Sequence, residues 1–119
     1  MKSHELGHDG EKFACDFLAR QGYRILEANY RTRFGEVDVV AEERGMLCFV
    51  EIKTRTADGL EAFEAVDRRK QGRMVRVAQA YLVEKRGTVD VAARFDVLAV
   101  NRDVEGRFSG ELLRDAFGI

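Results

Sequence analysis

Two short apolar segments joined by a glycine-containing turn constrain the fold of this chain most strongly. Residues 36–40 read Glu-Val-Asp-Val-Val, and residues 49–53 read Phe-Val-Glu-Ile-Lys. Side chains alternate between the two faces of a β-strand, so both segments are predicted to be strands with valine and isoleucine on one face. The segment between them contains Gly45 and is short enough for an antiparallel hairpin.

The same alternation places four charged side chains on the other face of this hairpin. A turn centred between residues 44 and 45 sets Asp38 opposite Glu51. It also sets Glu36 opposite Lys53. Opposed residues of an antiparallel pair have Cβ atoms about 4.5–5.5 Å apart, and like charges there are destabilising. Two carboxylates in this position therefore need a proton, a cation or a lysine between them.

A divalent cation is one candidate occupant of such a carboxylate pair. Mg²⁺ takes oxygen ligands and is often held by one or two carboxylates together with substrate phosphates. Lys53 adds a positive charge on the same face as Glu51, where it can orient a water or stabilise charge that develops on a phosphate. The alternative is an exposed hairpin face that carries ordinary ion pairs.

Composition limits the class of protein. With 119 residues, 45% of them hydrophobic and 34% charged, the chain is predicted to fold as one globular domain. No apolar run approaches the roughly 20 residues of a membrane span, and the first residues lack the apolar core of a secretion signal. We therefore expect a cytoplasmic protein with no membrane partner. Two isolated cysteines, Cys15 and Cys48, fit neither a disulfide framework nor a zinc site.

Periodicity and turn signals predict an α/β fold with the order α-β-β-β-α-β. The predicted sheet is mixed, contains an antiparallel hairpin and is flanked by helices. The predicted segments are a helix from residue 6 or 8 to 21 closed by Gly22, a strand over 23–30, the charged hairpin over 36–54, a loop over 55–66, a helix over 67–85 capped by Asp67, a strand over 93–100, and a polar turn over 101–110 before a short final strand or extended tail.

Glu11 lies on the first predicted helix in apolar company. At about 100° per residue, Ala14, Cys15 and Leu18 fall within roughly 60° of it. We therefore expect this carboxylate to face inward or toward the edge of a cleft, where an unpaired carboxylate costs several kcal/mol. Two interpretations remain open: an inward salt bridge to an arginine, or a third acidic group near the metal.

Basic residues cluster on the second predicted helix. Three arginines recur at positions i, i+4 and i+7 of one face, next to Lys70: Arg69, Arg73 and Arg76. Like charges at this spacing cost a few tenths of a kcal/mol per pair, so their stacking is typical of a track for nucleic-acid phosphates. The alternative is a solvated face paired with nearby acids. Further arginines flank the charged hairpin: Arg31, Arg33 and Arg55.

Two more charges lie on the strand predicted at 93–100. Arg94 and Asp96 share one face of that strand, while Phe95 and Val97 share the other. We expect the two charges to pair with each other or with charges of the hairpin, in a structural role.

An ordered series of short motifs, which covers nearly all of the chain, resembles the YraN-like family of small bacterial proteins. Any one of these motifs is weak, but their order along the chain is specific. The matching segments are 10–11 with Ala14 and Leu18, 22–26, 29–31, 35–41, 49–55, 65–67, 70–71, 80–82 and 94–97.

The YraN-like family is similar to the restriction-endonuclease-like superfamily and, within it, to the archaeal Holliday-junction resolvases. The resemblance implies that an aspartate and a Glu-x-Lys motif bind Mg²⁺ or Mn²⁺ and position the attacking water, often with a glutamate from the first helix. Residue by residue, these roles fall on Asp38, Glu51, Lys53 and Glu11. Glu36 and Gln71 also match the family, and we expect them to support the site without ligating the metal.

The resemblance implies a single restriction-endonuclease-like domain that acts on DNA. The first functional hypothesis is a metal-dependent DNA endonuclease, selective for branched DNA through two sites in a symmetric homodimer. The second is a non-catalytic module on a nuclease fold that binds nucleic acid or docks to a repair or recombination protein. A metal that serves only stability is a third.

Overall fold

A computed structural model of the chain describes residues 3–54 and 67–117, with side chains of the first helix described from residue 7 onward. The elements are α1 (Ser3–Arg20), β1 (Arg24–Thr32), β2 (Gly35–Glu43), β3 (Met46–Thr54), α2 (Arg68–Arg86), β4 (Ala93–Arg102) and β5 (Phe108–Phe117). The predicted order α-β-β-β-α-β is confirmed, and a full fifth strand follows where a short strand or tail was expected. The loop predicted over 55–66 lies outside the described residues.

The five strands form one mixed sheet in the order β1-β2-β3-β4-β5. Strands β3 and β4 pair in parallel, while the other neighbours pair antiparallel. Parallel neighbours require a crossover connection, and α2 lies within the segment that joins β3 to β4. Because each strand alternates its side chains, the sheet has two apolar faces, each with a helix against it.

The hydrophobic core consists of two clusters on opposite faces of the sheet. The cluster against α2, here the α2-side cluster, includes Phe49, Phe95 and Tyr81. The Phe49 ring lies 5.6 Å from Tyr81 and 5.7 Å from Phe95, between ring centroids. The cluster against α1, here the α1-side cluster, includes Leu18 and Ile52. The two helices are therefore held by independent sets of apolar contacts.

The turn between β2 and β3 has the predicted register. Glu43 pairs with Met46, and the ladder continues to Val39 and Val50. Arg44 and Gly45 have φ values of 52° and 80°. Positive φ at both central residues is what a two-residue type I′ turn requires, and this turn matches the natural twist of the strands. A local turn signal therefore determines which residues of the hairpin face each other.

One detail of the predicted alternation is wrong. Val37 and Val39 were expected on one face, but Val37 joins the α2-side cluster and Val39 the α1-side cluster. Between them, the Asp38 carboxylate turns into the ladder and accepts the backbone N–H of Ile52 at 2.7 Å. A side chain that takes a ladder hydrogen bond interrupts the regular pleat, so strict alternation fails at this residue.

The second helix begins and ends as its sequence predicts. The Asp67 side chain accepts the backbone N–H of Lys70 at 2.9 Å, which confirms it as the N-cap. At the other end, Gly87 adopts a left-handed conformation with φ of 72°, and its N–H donates to the Val83 carbonyl. The Asp67 cap fixes the first turn of α2, which contacts the candidate site described below.

A largely buried ionic network joins β2, β4 and β5 to Tyr23, the residue before β1, near the β2–β3 turn. Asp96 is fully buried and accepts hydrogen bonds from the Tyr23 hydroxyl and from Arg94 Nε, the latter at 3.0 Å. Arg94 also donates to Glu43, and Arg114 donates to the two oxygens of Glu43 at 2.9 and 2.6 Å. These contacts confirm the structural role expected for Arg94 and Asp96, and we call these five residues the turn-side network.

The turn-side network predicts a specific acid dependence of stability. The hydrogen bonds from Arg114 lower the pKa of Glu43 to about 2 from its ordinary 4.5. A carboxyl group with a lowered pKa stabilises the fold above its unfolded pKa, and this contribution is lost as pH falls toward the folded value. We expect Glu43→Gln to lower the free energy of unfolding at pH 7, and the gap to wild type to narrow between pH 4.5 and 2. Urea unfolding at both ends of this range measures the gap, and a gap independent of pH contradicts the assignment.

Candidate functional site

Asp38 lies near the start of β2 and is 1% exposed. Its Oδ2 atom accepts the Ile52 N–H at 2.7 Å, just beyond the last backbone pair of the ladder, Val39 with Val50. Burial of a carboxylate is costly unless hydrogen bonds compensate for lost water, and this backbone donor compensates in part. The Asp38 carboxylate is thus held in one place by the sheet itself.

Glu51 lies on β3 and is 2% exposed. Its Oε2 atom forms an ion pair with Lys70 Nζ from the first turn of α2, and Lys53 Nζ lies 4.0 Å away. Two lysines therefore approach one buried carboxylate from different elements. Asp38 and Glu51, here called the acid pair, are almost completely shielded from solvent, so the alternative of an exposed hairpin face with surface ion pairs is wrong.

Lys53 follows Glu51 on the same face of β3, and its side chain is 16% exposed. Both residues belong to the later half of β3, where it runs parallel to β4: Glu51 lies beside Val97 and Lys53 beside Ala99. Ligands of α/β sheets commonly bind at the carboxyl ends of parallel strands, because the backbone there opens into a crevice. The ammonium group of Lys53 occupies that end, close to solvent.

Glu36 is only partly buried and lies across from Arg31 on β1. The two side chains form an ion pair at 3.5 Å. Together with Thr32 and Gly35 they line an open cleft of about 380 Å³ at the start of β2. Glu36, which lines this cleft, precedes Asp38 by two residues on β2. The predicted opposition of Glu36 to Lys53 stays a prediction, because the β2–β3 ladder ends at Val39 and Val50.

Glu11 is half-buried on α1, as expected from its apolar neighbours, and Ala14 and Leu18 beside it are fully buried. Within the described residues, however, no group of three or more Asp, Glu, His or Cys side chains is arranged to hold a metal ion. The structure therefore does not unite Glu11 with the acid pair in one metal-binding group, and its role as a third ligand stays a prediction.

The acid pair fits a magnesium or manganese ion in the type of donor. Carboxylate oxygens are the ligands that Mg²⁺ prefers, and one or two of them suffice where waters and substrate phosphates complete the coordination. Asp38 and Glu51 supply two such groups from adjacent strands. The partly buried lysines Lys53 and Lys70 lie beside Glu51, so positive charge is already accommodated next to this carboxylate.

The predicted basic residues separate into an inner and an outer set. Arg69, Arg73 and Arg76, here the arginine stripe, are exposed along α2, and Arg31 and Arg33 are exposed near the β1–β2 turn. Lys70 differs, because it turns inward to Glu51. Gln71 is half-buried in the first turn of α2. Arg55 lies outside the described residues.

Sequence reasoning assigned Lys70 to the outer basic surface and missed its contact with Glu51. A signal for the inward orientation was present in the helical spacing. Lys70 precedes Met74 by four residues and Val77 by seven, and both of these side chains are buried under α2. Lys70 therefore stands at the head of the apolar stripe of α2, where a charged side chain needs a buried partner.

Two further features of the described residues, the cysteines and a second groove, add no group to the candidate site. Both cysteines are free thiols, and burial raises the pKa of Cys48 to about 12 and also raises that of Cys15, so neither is a reactive thiolate. A groove of about 650 Å³ along the later half of α2 is lined by apolar residues such as Phe34 and Val83. Within the described residues, neither helix has the length and apolar character needed to cross a membrane.

Removal of the Asp38 carboxylate is expected to affect stability through Ile52. Asp38→Ala leaves the buried N–H of Ile52 without its acceptor, which costs about 1–3 kcal/mol. Asp38→Asn keeps an acceptor oxygen in the same place, so its free energy of unfolding should fall clearly less than that of Asp38→Ala. Urea unfolding of the two variants measures the difference, and equal free energies of unfolding for Ala and Asn contradict a ladder role for this side chain.

Comparison with known proteins places the chain in a family. Residues 10–100 match the model of "Uncharacterised protein family UPF0102". A UPF0102 protein of Chlorobaculum parvum is 48% identical over 98 residues, which cover 80% of this chain and 74% of the relative. A relative from Symbiobacterium thermophilum is 40% identical over 116 residues, which cover 97% of this chain and 98% of the relative. A relative from Desulforapulum autotrophicum is 44% identical over 117 residues, which cover 98% of this chain and 95% of the relative. This chain therefore belongs to the UPF0102 family, the YraN-like family that its motifs resemble.

Proposed function

We propose that this protein is a Mg²⁺- or Mn²⁺-dependent endonuclease that hydrolyses phosphodiester bonds in DNA, with a preference for branched substrates. The observation that carries the proposal is the burial of both carboxylates of the acid pair, with Lys53 two residues after Glu51 on the same strand. Buried carboxylates are costly to a small domain, so two of them on adjacent strands with lysines beside Glu51 favour a functional role over a purely structural one.

The roles are those that the resemblance implies, and burial and contacts support them for Asp38, Glu51 and Lys53. Asp38 and Glu51 would hold the cation, and Glu11 would act as a further ligand, directly or through water. A divalent cation bound there supplies Lewis-acid activation of the phosphodiester and of the attacking water. Lys53, whose Nζ lies 4.0 Å from Glu51, would orient that water and stabilise negative charge that develops on the phosphate oxygens.

The same helix that contacts the acid pair supports the choice of a nucleic acid as substrate. Lys70 touches Glu51, and the arginine stripe begins one residue earlier in the same helix, on its exposed side. A phosphate backbone that follows the stripe would therefore reach the acid pair at the start of α2. Arg31 and Arg33 beside the β1–β2 turn, together with Arg55, would add further phosphate contacts.

Selectivity for branched DNA would come from two such sites held at a fixed distance in a symmetric homodimer. Each site would then cut one strand of a substrate whose arms match that distance. This part of the proposal extends the resemblance to junction resolvases, and the oligomeric state in solution is its most direct check.

The alternative is a non-catalytic module that binds nucleic acid or a repair or recombination protein through the same fold. The pairing of Glu51 with Lys70 and Lys53 favours it, because two ammonium groups stabilise this carboxylate without a metal. The apolar groove along α2 would then be a docking surface for a protein partner. Binding without turnover, unaffected by replacement of Lys53, distinguishes this alternative from the enzyme.

The acid pair and Lys53 should be required for metal-dependent cleavage. We expect Glu51→Gln and Lys53→Met each to reduce the cleavage rate on the order of 100-fold or more, since each removes a group that acts on the transition state. The assay is the rate of cleavage of duplex, single-stranded, flap and four-way-junction DNA with Mg²⁺ or Mn²⁺.

Glu42→Gln provides the matched control for Glu51→Gln. It changes the same chemical group in the same hairpin, but Glu42 is paired with Arg24 on the surface at 2.6 Å. Cleavage by wild type and Glu42→Gln, but not by Glu51→Gln, supports the enzyme and excludes a contaminating nuclease. Equal rates for all three proteins place the active site elsewhere.

The arginine stripe should contribute a salt-dependent part of DNA affinity. Each arginine that contacts a phosphate of duplex DNA adds about 0.9 to the slope of log affinity against log salt concentration. We expect Arg69→Ala and Arg73→Ala each to weaken binding and to reduce that slope by about one. Arg107→Ala is the control, since this exposed residue lies in the β4–β5 turn and pairs with Asp103. An unchanged slope in the stripe variants places the phosphate track on another surface.

A further inference from the structure

Two lysines contact one carboxylate in the candidate site, and they do so in different ways. Lys53 belongs to the same strand as Glu51 and keeps its Nζ 4.0 Å from Glu51 Oε2. Lys70 comes from α2 and forms the closer ion pair with the same oxygen. The Lys70 side chain is 22% exposed, and that of Glu51 is 3% exposed. The closer lysine is therefore the one that a separate element brings to the site.

The position of Lys70 is enforced by its surroundings. Its backbone N–H donates to the side chain of the N-cap residue Asp67 at 2.9 Å, which fixes the backbone of Lys70 in the first turn of α2. Met74, one helical turn later, is buried against the sheet, which orients this side of the helix toward β3. A long side chain at the head of a buried stripe extends along the apolar surface and places its ammonium group where a carboxylate lies.

A divalent cation and this ammonium group need the same partner. Cation ligation uses the carboxylate oxygens of Glu51, and Lys70 already approaches Oε2. Two positive charges on one oxygen in a poorly hydrated site repel each other strongly. Entry of the cation at Glu51 must therefore weaken or break the Lys70 contact, whereas Lys53 Nζ is already 4.0 Å from Oε2 and makes the weaker pair.

We propose that Lys70 competes with the divalent cation for Glu51: it neutralises this carboxylate in the metal-free protein and moves away from it when the metal binds. The ammonium group released in this way remains at the start of the arginine stripe, where it can contact a phosphate of the bound nucleic acid. Lys70 is thus a positioning residue that links occupancy of the metal site to substrate binding. This inference rests on the proposed metal-dependent function.

The test is the affinity of the full chain for Mn²⁺ alone, measured by isothermal titration calorimetry without nucleic acid. We expect Lys70→Met to tighten Mn²⁺ binding about tenfold, because a competitor for Glu51 has been removed. Lys70→Arg keeps the positive charge and should stay close to wild type. Lys85→Met makes the same chemical change at the exposed far end of α2 and should leave the affinity unchanged.

Thermal unfolding gives a second readout, the rise in melting temperature that Mn²⁺ causes. If Lys70 had only a structural role, its replacement would not increase this rise. Without metal, Lys70→Met should melt below wild type, because Glu51 loses an ion-pair partner in a buried site. Saturating Mn²⁺ should then raise the melting temperature of Lys70→Met by more than it raises that of wild type. If Lys70→Met does not fold, Lys70→Gln removes the charge with less change of polarity and serves in both measurements.

The outcomes separate this inference from the proposed function. Mn²⁺ binding by Lys70→Met that is tighter than wild type, or detectable only in that variant, supports competition at Glu51. If wild type binds Mn²⁺ and Lys70→Met binds it with equal or lower affinity, the competition is overturned, while the proposed metal-dependent enzyme is not. Absence of Mn²⁺ binding from wild type and every Lys70 variant overturns the metal site, and this inference with it.

Discussion

The burial of two carboxylates at one edge of the sheet is the constraint on which the candidate site depends. Asp38 accepts the Ile52 N–H and so forms part of the β2–β3 ladder. Glu51 pairs with Lys70 and so ties the first turn of α2 to β3. Because buried charge must be compensated, these contacts position both strands and the helix relative to each other. In the proposed function the same side chains would also hold the metal.

The turn-side network and the acid pair differ in how their charges are compensated. In the turn-side network, two arginines donate to Glu43, while Arg94 and Tyr23 donate to the buried Asp96. Such mutual hydrogen bonding suits a rigid scaffold. Glu51 of the acid pair contacts instead the first turn of α2, where an exposed arginine stripe begins. One charged region is therefore closed by its own hydrogen bonds, and the other contains the carboxylates that we propose as metal ligands.

Features set by local interactions could be predicted from the sequence. The turn at Arg44 and Gly45 determined the hairpin register, because positive φ at both residues permits a two-residue turn. Asp67 identified the start of α2, since its side chain caps the free N–H groups of the first turn. The partial burial of Glu11 followed from helical periodicity, although its predicted role as a metal ligand depends on contacts between elements that periodicity does not define.

The sequence by itself determined the order of helices and strands, the hairpin register, the membership in the UPF0102 family and the identity of the acids worth testing. Only the tertiary structure decided that Asp38 and Glu51 are buried, that Val37 leaves the alternation of its neighbours, and that Lys70 turns inward to Glu51. The physical reason is the sequence separation of the residues that determine each feature. Turns, caps and periodicity depend on residues a few positions apart, whereas burial of a charge depends on which distant element packs over it and supplies the compensating partner.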